Sequence, residues 1–171
     1  MSIKPDVYNT DFYAWTQEQA ALLRAGAVDD LDLDHLAEEI ESLGLSDRRA
    51  LESDLEVLLI HLLKWQHQPE HRVAGHSWYD TITEHRGRIE RLLRDSPSLR
   101  RQVPALLTER YPKARDRALM QMAPALPRRH DELLPRTPKD LLREAARAFP
   151  LLPTCPWTPT EVLDDDFWPE A

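Results

Sequence analysis

The sequence predicts an all-α protein, a single-domain helical bundle of about five to seven helices over residues 1–171. Three observations predict this fold. The chain has only 4 glycines, whereas Leu, Ala, Arg and Glu, which favour helix, are abundant. Apolar residues recur every three or four positions, the period of one face of an α-helix. Many of the 14 prolines stand between these periodic segments, and proline is tolerated at helix ends.

The first predicted helix has recognisable ends. Thr10 or Asp11 is a suitable N-cap, and Gly26 suits the position after the last turn, where the backbone is often left-handed. The apolar face of this helix carries Phe12, Trp15, Gln19, Leu22 and Leu23, with Gln19 as its polar member.

Two further helices are predicted before residue 69. A short one is capped by Asp32 or Asp34 and ends at Gly44, and its apolar face carries Leu33, Leu36, Ile40 and Leu43. Ser46 then caps a long central helix near 46–68, whose apolar face carries Leu51, Leu55, Leu58, Leu62 and Trp65. At about 1.5 Å per residue the long helix would measure roughly 33 Å and cross the whole domain.

The remaining helices are marked by proline. Ser-Pro at 96–97 and Thr-Pro at 137–138 and 158–159 each combine a cap residue with proline at the first helical position. Apolar residues keep a helical period from Leu99 to Met122, and Pro104 and Pro112 are each predicted to kink or divide this helix. A helix starting near Ser77 carries Trp78, Ile82, His85, Ile89, Leu92 and Leu93 on its apolar face.

Charge is distributed unevenly along the chain. The net charge is −8, yet residues 65–150 hold 17 basic and 11 acidic side chains. Residues 123–136 are predicted to form a proline-rich loop, and residues 151–171, with five acidic and no basic side chains, an acidic aromatic tail. We expect this tail to dock on the basic middle of the bundle or on a second copy.

Composition also favours an intracellular protein. Cys155 is the only cysteine, so no internal disulfide can form and no oxidising compartment is indicated. No apolar run approaches the length of a membrane span, and the N-terminus lacks the apolar segment of a signal peptide. We therefore expect a soluble, cytoplasmic protein without a membrane partner.

Several segments resemble one known family. DFYAWTQEQAALLRAG, HLAEEIESLG, LLIHLLKWQ, SWYDTI, RLLRDSPSL and CPWT, in this order, are similar to the bacterial family termed domain of unknown function 29. The resemblance spans residues 8–169 and implies an all-helical, single-domain fold. It implies no reaction, cofactor or catalytic residue. A Glu-Thr-Gly-type word typical of the family is replaced here by Gln-Met-Ala-Pro at 121–124.

One set of polar residues could form a metal site. Glu38 and Glu39 lie on the second predicted helix, His61 on the central helix and His85 on the next. If these helices were adjacent, their carboxylates and imidazoles could converge as in the metal sites of helical bundles. A metal-dependent enzyme is therefore the alternative function, and no cofactor other than a divalent metal is indicated.

Other reactive residues carry weaker signals. His67, Glu70, His71 and His76 cluster in a segment predicted to be a loop, where histidines are usually solvated. Cys155 lies in apolar and then acidic surroundings and is predicted to be a packing residue. No catalytic residue is predicted, and the sequence favours a protein that is not an enzyme.

An arginine-rich helix face supports a third alternative. The face from Arg86 to Arg101 is predicted to lie on the outer side of its helix. Glutamates stand four residues before Arg88 and Arg94, an order that favours local ion pairs and a solvated face. Nucleic-acid binding is the least favoured function, because an acidic protein meets net repulsion from nucleic acid.

The preferred prediction is a non-enzymatic helical interaction or adaptor protein that binds a protein partner or a second copy of itself. The split charge distribution and the aromatic tail are its basis. The predicted interaction residues are Trp157, Phe167, Trp168, Arg88 and Arg91.

Overall fold

The described part of the chain is built from α-helices and contains no β-strand. The computed structural model describes residues 7–72, 76–123 and 137–170, and of His76 only the backbone. These residues form seven α-helices, which confirms the predicted fold class. The helices are α1 (Val7–Thr10), α2 (Phe12–Ala25), α3 (Leu33–His67), α4 (His76–Asp95), α5 (Val103–Met122), α6 (Pro138–Ala148) and α7 (Pro159–Leu163). Short 3-10 helices occupy Val28–Asp30, Pro69–His71 and Pro97–Gln102.

The chain divides into two compact units, Met1–Ser46 and Asp47–Ala171. The boundary falls within α3, so the first part of this helix belongs to one unit and the second part to the other. Nothing in the apolar pattern indicated this division. The central helix predicted near 46–68 is present, and it begins earlier, at Leu33.

The predicted break between two helices at Gly44 and Ser46 is wrong. Both residues lie within α3, which runs without interruption for 35 residues. A glycine that ends a helix usually adopts a positive φ, and among the described residues only Gly26 does so. Glycine inside a helix costs about 1 kcal/mol relative to alanine, which a helix of this length tolerates.

The first unit is a helical hairpin, and both ends of its helix α2 are capped as the sequence predicts. The Asp11 side chain accepts a hydrogen bond from the backbone N–H of Ala14 (3.0 Å), and Gly26 at φ 70° closes the helix. Within α2, Trp15 and Gln19 are the buried residues, so the hairpin has a small interior.

The second unit holds an extensive apolar core. The second part of α3 supplies Leu51, Leu55, Leu58 and Leu62, all fully buried. Ile82 and Ile89 of α4 and an apolar face of α5 complete the centre, and α6 and α7 each add one buried residue. This core fixes the positions of α4, α5 and the C-terminal segment.

Proline has different effects in different helices. Pro104 lies in the first turn of α5, directly after the 3-10 helix Pro97–Gln102, so the predicted division occurs there. Pro112 lies inside α5 and does not divide it. Ser96 precedes a 3-10 helix, but its hydroxyl donates to Asp47 Oδ2 (2.8 Å) and does not cap that helix. The caps predicted at 137–138 and 158–159 are confirmed, the second as a complete capping box.

Two further predictions concern the loop 123–136 and membrane-spanning helices. The predicted loop 123–136 lies outside the described residues except for Ala123, which is buried at the end of α5. Within the described ranges, every helix is too short or too polar to cross a lipid bilayer.

Candidate interaction surface

The hairpin of the first unit is held together by a polar cluster around Asp32. Its carboxylate accepts hydrogen bonds from Trp15 Nε1 (3.2 Å) and from His35 Nδ1 (2.7 Å). The backbone N–H of Asp32 donates to Gln19 Oε1 (2.8 Å). The two buried residues of α2 are therefore tied to the start of α3 by hydrogen bonds.

Tyr8 extends this cluster from α1. Its ring stacks on His35 with centroids 3.8 Å apart, and its hydroxyl donates to Glu39 Oε1 (2.7 Å). The bond to Glu39 raises the pKa of Tyr8 to about 12, and the bond from His35 lowers the pKa of Asp32. These bonds stabilise the protonated hydroxyl of Tyr8 and the ionised carboxylate of Asp32, the forms that exist at neutral pH.

The apolar face of the first part of α3 is left largely exposed to solvent. We call Leu33, Leu36, Ile40 and Leu43 the apolar stripe. Leu33, Ile40 and Leu43 are 59%, 67% and 70% exposed, respectively. The spacing of three, four and three residues places all four on one face of the helix. Large exposed apolar faces of this kind mark binding surfaces in folded proteins.

Exposed apolar residues are concentrated in the first unit. Of the ten large apolar side chains that are exposed in the described chain, eight lie between Phe12 and Leu45. The other two are Tyr79 and Leu152. The second unit therefore covers its apolar side chains efficiently, whereas the first unit does not.

Acidic residues predominate in the first unit. Residues 7–46 contain nine acidic side chains and a single basic one, Arg24. Asp34, Glu38 and Glu41 of α3 are exposed, and the ion pairs of the described residues do not include them. Their spacing places them on a different face of the helix from the apolar stripe. The first unit thus combines an exposed apolar stripe with a net negative charge.

Two buried acidic side chains of the second unit form ion pairs with basic residues. Glu52 and Glu56 of α3 are almost completely buried and meet cations of α5. Glu52 pairs with Arg110 and with Arg48 (2.5 Å), and Glu56 pairs with Arg117 and with Lys113 (3.1 Å). The pairs with Arg110, Arg117 and Lys113 join α3 to α5, whereas Arg48 pairs with Glu52 within α3.

The C-terminal segment docks on α4 through Arg86. The guanidinium donates to the backbone oxygens of Val162 (3.0 Å) and Phe167 (2.7 Å) and, at a longer distance, of Asp165 (3.4 Å). Arg86 is only 3% exposed, so the prediction that it lies on the outer side of its helix is wrong. Burial lowers the pKa of Arg86.

The predicted interaction residues of the tail contact the protein's own second unit. Trp168 stacks on Tyr79 with centroids 5.0 Å apart and lies 4.7 Å from Trp65. Trp157 and Phe167 contact each other edge to face. Their aromatic surface is therefore partly covered within the chain.

Arg88 and Arg91 lie on the exposed side of α4. Arg88 pairs with Glu84 (2.5 Å), and Arg94 pairs with Glu90 (2.8 Å), as their spacing predicts. A guanidinium that is already paired offers less to a phosphate, so this face has the properties of a solvated surface.

The metal candidates are distributed over both units. Glu38 and Glu39 belong to the first unit, and His61 and His85 belong to the second. His61 donates from Nδ1 to the backbone oxygen of Val57 (2.9 Å), and burial lowers its pKa. His85 donates from Nδ1 to Asp54 Oδ1 (2.7 Å). Among the described residues, no three His, Cys, Asp or Glu side chains are grouped so that they could hold a metal ion.

The remaining reactive residues have ordinary surroundings. His71 lies beside Glu70 (3.6 Å) at the surface, and the side chain of His76 is outside the described part. The Cys155 thiol donates to the backbone oxygen of Trp157 (3.4 Å), and burial raises the pKa of this thiol. A raised pKa makes a thiol a poor nucleophile at neutral pH.

Cys155 lines an apolar recess of about 500 Å³ in the second unit. Leu107, Tyr111 and Trp157 contribute to its walls together with four prolines. The Tyr111 hydroxyl donates to the backbone oxygen of Leu152 (3.1 Å), so this hydroxyl is used within the chain.

Fold and surface together define an all-helical protein with an exposed apolar face and without a metal-ligand group in its described residues. The family profile described as Domain of unknown function DUF29 matches residues 7–168. The chain belongs to this family, as its sequence segments predicted. Comparison with curated proteins and comparison with solved structures each yielded no match.

Two features of the surface were missed at the level of sequence. The exposure of the apolar stripe was not predicted, because periodicity alone does not tell whether an apolar face is covered. Arg86 was assigned to the surface, although Ile82, Arg86, Ile89 and Leu93 follow one another at four- and three-residue spacing. That spacing was the signal that Arg86 shares the buried face of α4.

Proposed function

We propose that the protein is a non-enzymatic, cytoplasmic interaction protein that binds another protein through the apolar stripe of α3. The exposure of Leu33, Ile40 and Leu43 is the observation that supports this proposal most strongly. Burying a leucine or isoleucine side chain completely contributes about 1.5–3 kcal/mol, so three such residues supply a substantial part of a specific affinity.

The character of the second unit agrees with this role. Several of its titratable side chains are engaged in pairs between helices, such as His85 with Asp54 and Glu56 with Lys113. A unit with an extensive core and paired charges is suited to present a binding element.

Site-specific photocrosslinking tests the proposal. A photoreactive amino acid placed at position 40 or 43 in cells of the source organism should give a discrete crosslinked protein, which mass spectrometry can identify. The same group at Leu152, an apolar residue that is 55% exposed in the second unit, is the matched control. Equal crosslinking at position 152, or none at positions 40 and 43, would contradict the proposal.

A purified partner then allows a quantitative test. Ile40→Asp should weaken its binding by at least about tenfold, because a charge replaces an apolar contact at the centre of the stripe. Leu152→Asp should leave the affinity unchanged. Both positions are exposed, so the circular dichroism and the unfolding midpoint of both variants should stay close to those of the original protein.

A further inference from the structure

We infer that the apolar recess beside Cys155 binds a neutral small molecule that contains an aromatic ring. We call it the Cys155 recess, and Leu107, Tyr111 and Trp157 also line it. The inference goes beyond the proposed function and does not depend on it, because these residues belong to the second unit and the apolar stripe belongs to the first. The size of the recess, its uncharged walls and the hydrogen bonds of its polar side chains support the inference.

The size of the Cys155 recess suits a small molecule. Its volume of about 500 Å³ falls within the range of roughly 300–1,000 Å³ that is typical of ligand pockets. Leu107 and Tyr111 of α5 are only 3% and 1% exposed, so they form its floor. Residues 153–159 supply a wall, with the half-buried Cys155 and Trp157. A concave site of this kind buries most of the surface of a small ligand.

The walls of the Cys155 recess favour a neutral ligand. Of the described residues that line it, none carries a charge at neutral pH. On α5, Arg110 and Lys113 pair with carboxylates of α3. A charged ligand would therefore lose its hydration in the recess without meeting a counter-ion in the walls, which is unfavourable.

Three polar side chains of the recess donate their hydrogen bonds within the chain. The Thr108 hydroxyl donates to the backbone oxygen of Pro104 (3.1 Å). The Cys155 thiol donates to the backbone oxygen of Trp157 (3.4 Å), and the Tyr111 hydroxyl donates to the C-terminal segment (3.1 Å). Four of the ten lining residues are prolines, which have no N–H group. The recess therefore offers few donors, and a ligand rich in oxygen acceptors would leave them unsatisfied.

An aromatic ring is the group that these walls favour most. The side chains of Tyr111 and Trp157 line the recess together with the four prolines. Aromatic rings gain from edge-to-face and offset contacts with one another beyond the apolar area that they bury. An extended peptide is less suited to this recess, because it would present a carbonyl group at every residue to walls with few donors.

Two fluorescent probes test the inference. N-Phenyl-1-naphthylamine is neutral, and 1-anilinonaphthalene-8-sulfonate has the same rings with an added sulfonate. Fluorescence titrations of the whole chain measure the affinity of each probe. The neutral probe should bind at least about tenfold more tightly, because the sulfonate would meet no cation in the walls. Equal affinity of the two probes, stronger binding of the sulfonate, or no fluorescence rise with the neutral probe would overturn the inference.

Cys155 reports directly on the recess, since it is the only cysteine of the chain. The saturating neutral probe should slow its labelling by N-ethylmaleimide at least about fivefold, measured at mildly alkaline pH because burial raises the pKa of the thiol. The double variant Leu43→Cys, Cys155→Ala places the thiol on the apolar stripe, and its labelling should not change. Protection of position 43 without protection of position 155 would place the probe on the stripe and overturn the inference.

Substitutions in the recess provide a second test. Cys155→Phe fills the recess with a ring and should weaken binding of the neutral probe at least about tenfold, whereas Cys155→Ala should keep the affinity within about twofold. Thr108 is an exposed residue of α5 that lines the recess, so Thr108→Lys should retain the fold. The added cation should reduce the preference for the neutral probe at least about threefold. Circular dichroism checks the folding of each variant.

Contrary results of these substitutions are equally clear. Undiminished binding of the neutral probe to folded Cys155→Phe, or an unchanged preference in Thr108→Lys, would overturn the inference. Crosslinking at positions 40 and 43 tests the proposed function separately and does not depend on any of these results.

Discussion

Arg86→Met is expected to destabilise the second unit, because Arg86 binds three backbone oxygens of the C-terminal segment. Methionine has a similar length and keeps much of the packing, so the change isolates the charged hydrogen bonds. The bonds to Val162 (3.0 Å) and Phe167 (2.7 Å) are well formed, whereas the bond to Asp165 (3.4 Å) is long.

The size of the effect follows from two opposing contributions. A hydrogen bond to a charged group contributes about 1.5–3 kcal/mol, which gives roughly 3–6 kcal/mol for the two short bonds. The guanidinium is also positioned over the Trp168 ring, 5.3 Å from its centroid, and such a contact adds about 1 kcal/mol. Desolvation of the buried charge offsets several kcal/mol of this gain. We expect a net loss of about 2–4 kcal/mol in the free energy of unfolding.

Urea unfolding followed by circular dichroism measures this loss. Arg91→Met, at an exposed position of the same helix, is the control and should change stability by less than about 0.5 kcal/mol. Limited proteolysis distinguishes global destabilisation from local detachment, since a detached tail would be cleaved near residues 151–158 before the rest of the unit unfolds. A loss below about 1 kcal/mol together with an uncleaved tail would refute the reasoning.

Three further predictions concern the backbone, a buried ion pair and pH. Gly44→Ala should raise stability by about 0.5–1 kcal/mol, because Gly44 lies inside α3 and an added Cβ would meet open space. Gly26→Ala should lower stability by about 1–2 kcal/mol, because Gly26 has a φ of 70°. Thermal unfolding of both variants checks this, and a loss of stability on Gly44→Ala would argue against a continuous helix. Glu56→Gln should lower stability by about 1 kcal/mol and less at high salt, because the carboxylate is buried but its cations are half exposed; a loss that does not depend on salt would contradict this reason. Burial raises the pKa of Tyr111 to about 12, so stability should fall as the pH rises above about 10 and continue to fall through about 12. Urea titrations over this range should show a shallower fall for Tyr111→Phe. Identical pH profiles of the two proteins would refute the assignment of this fall to Tyr111.

The sequence was sufficient for the helices of the second unit and for several of their ends. The caps at 137 and 158 depend on local chemistry, since each needs only a threonine, a proline and an acidic residue within one turn. The central helix was recognisable because its apolar residues keep their period over about four turns. Local information of this kind is fully contained in neighbouring residues.

Other features depend on contacts between residues distant in the chain. Whether Gly44 ends a helix or lies inside one is decided by the backbone conformation of its neighbours and not by its identity. Ser96 was predicted to cap a helix, but Asp47, 49 residues earlier, accepts its proton. The burial of Arg86 requires carbonyl groups 76 or more residues later in the chain. Period and composition do not contain such information.

The distribution of buried side chains along α3 also has a consequence for local dynamics. The helix has no buried residue between Leu33 and Ala50, so tertiary packing contributes little to that stretch, and helices of this length are marginal when packing is absent. Its amide hydrogens should therefore exchange with solvent much faster than those of residues 51–63, by openings that leave the second unit intact. A bound protein that covers this stretch would slow the exchange, and part of its binding free energy would be used to order the helix.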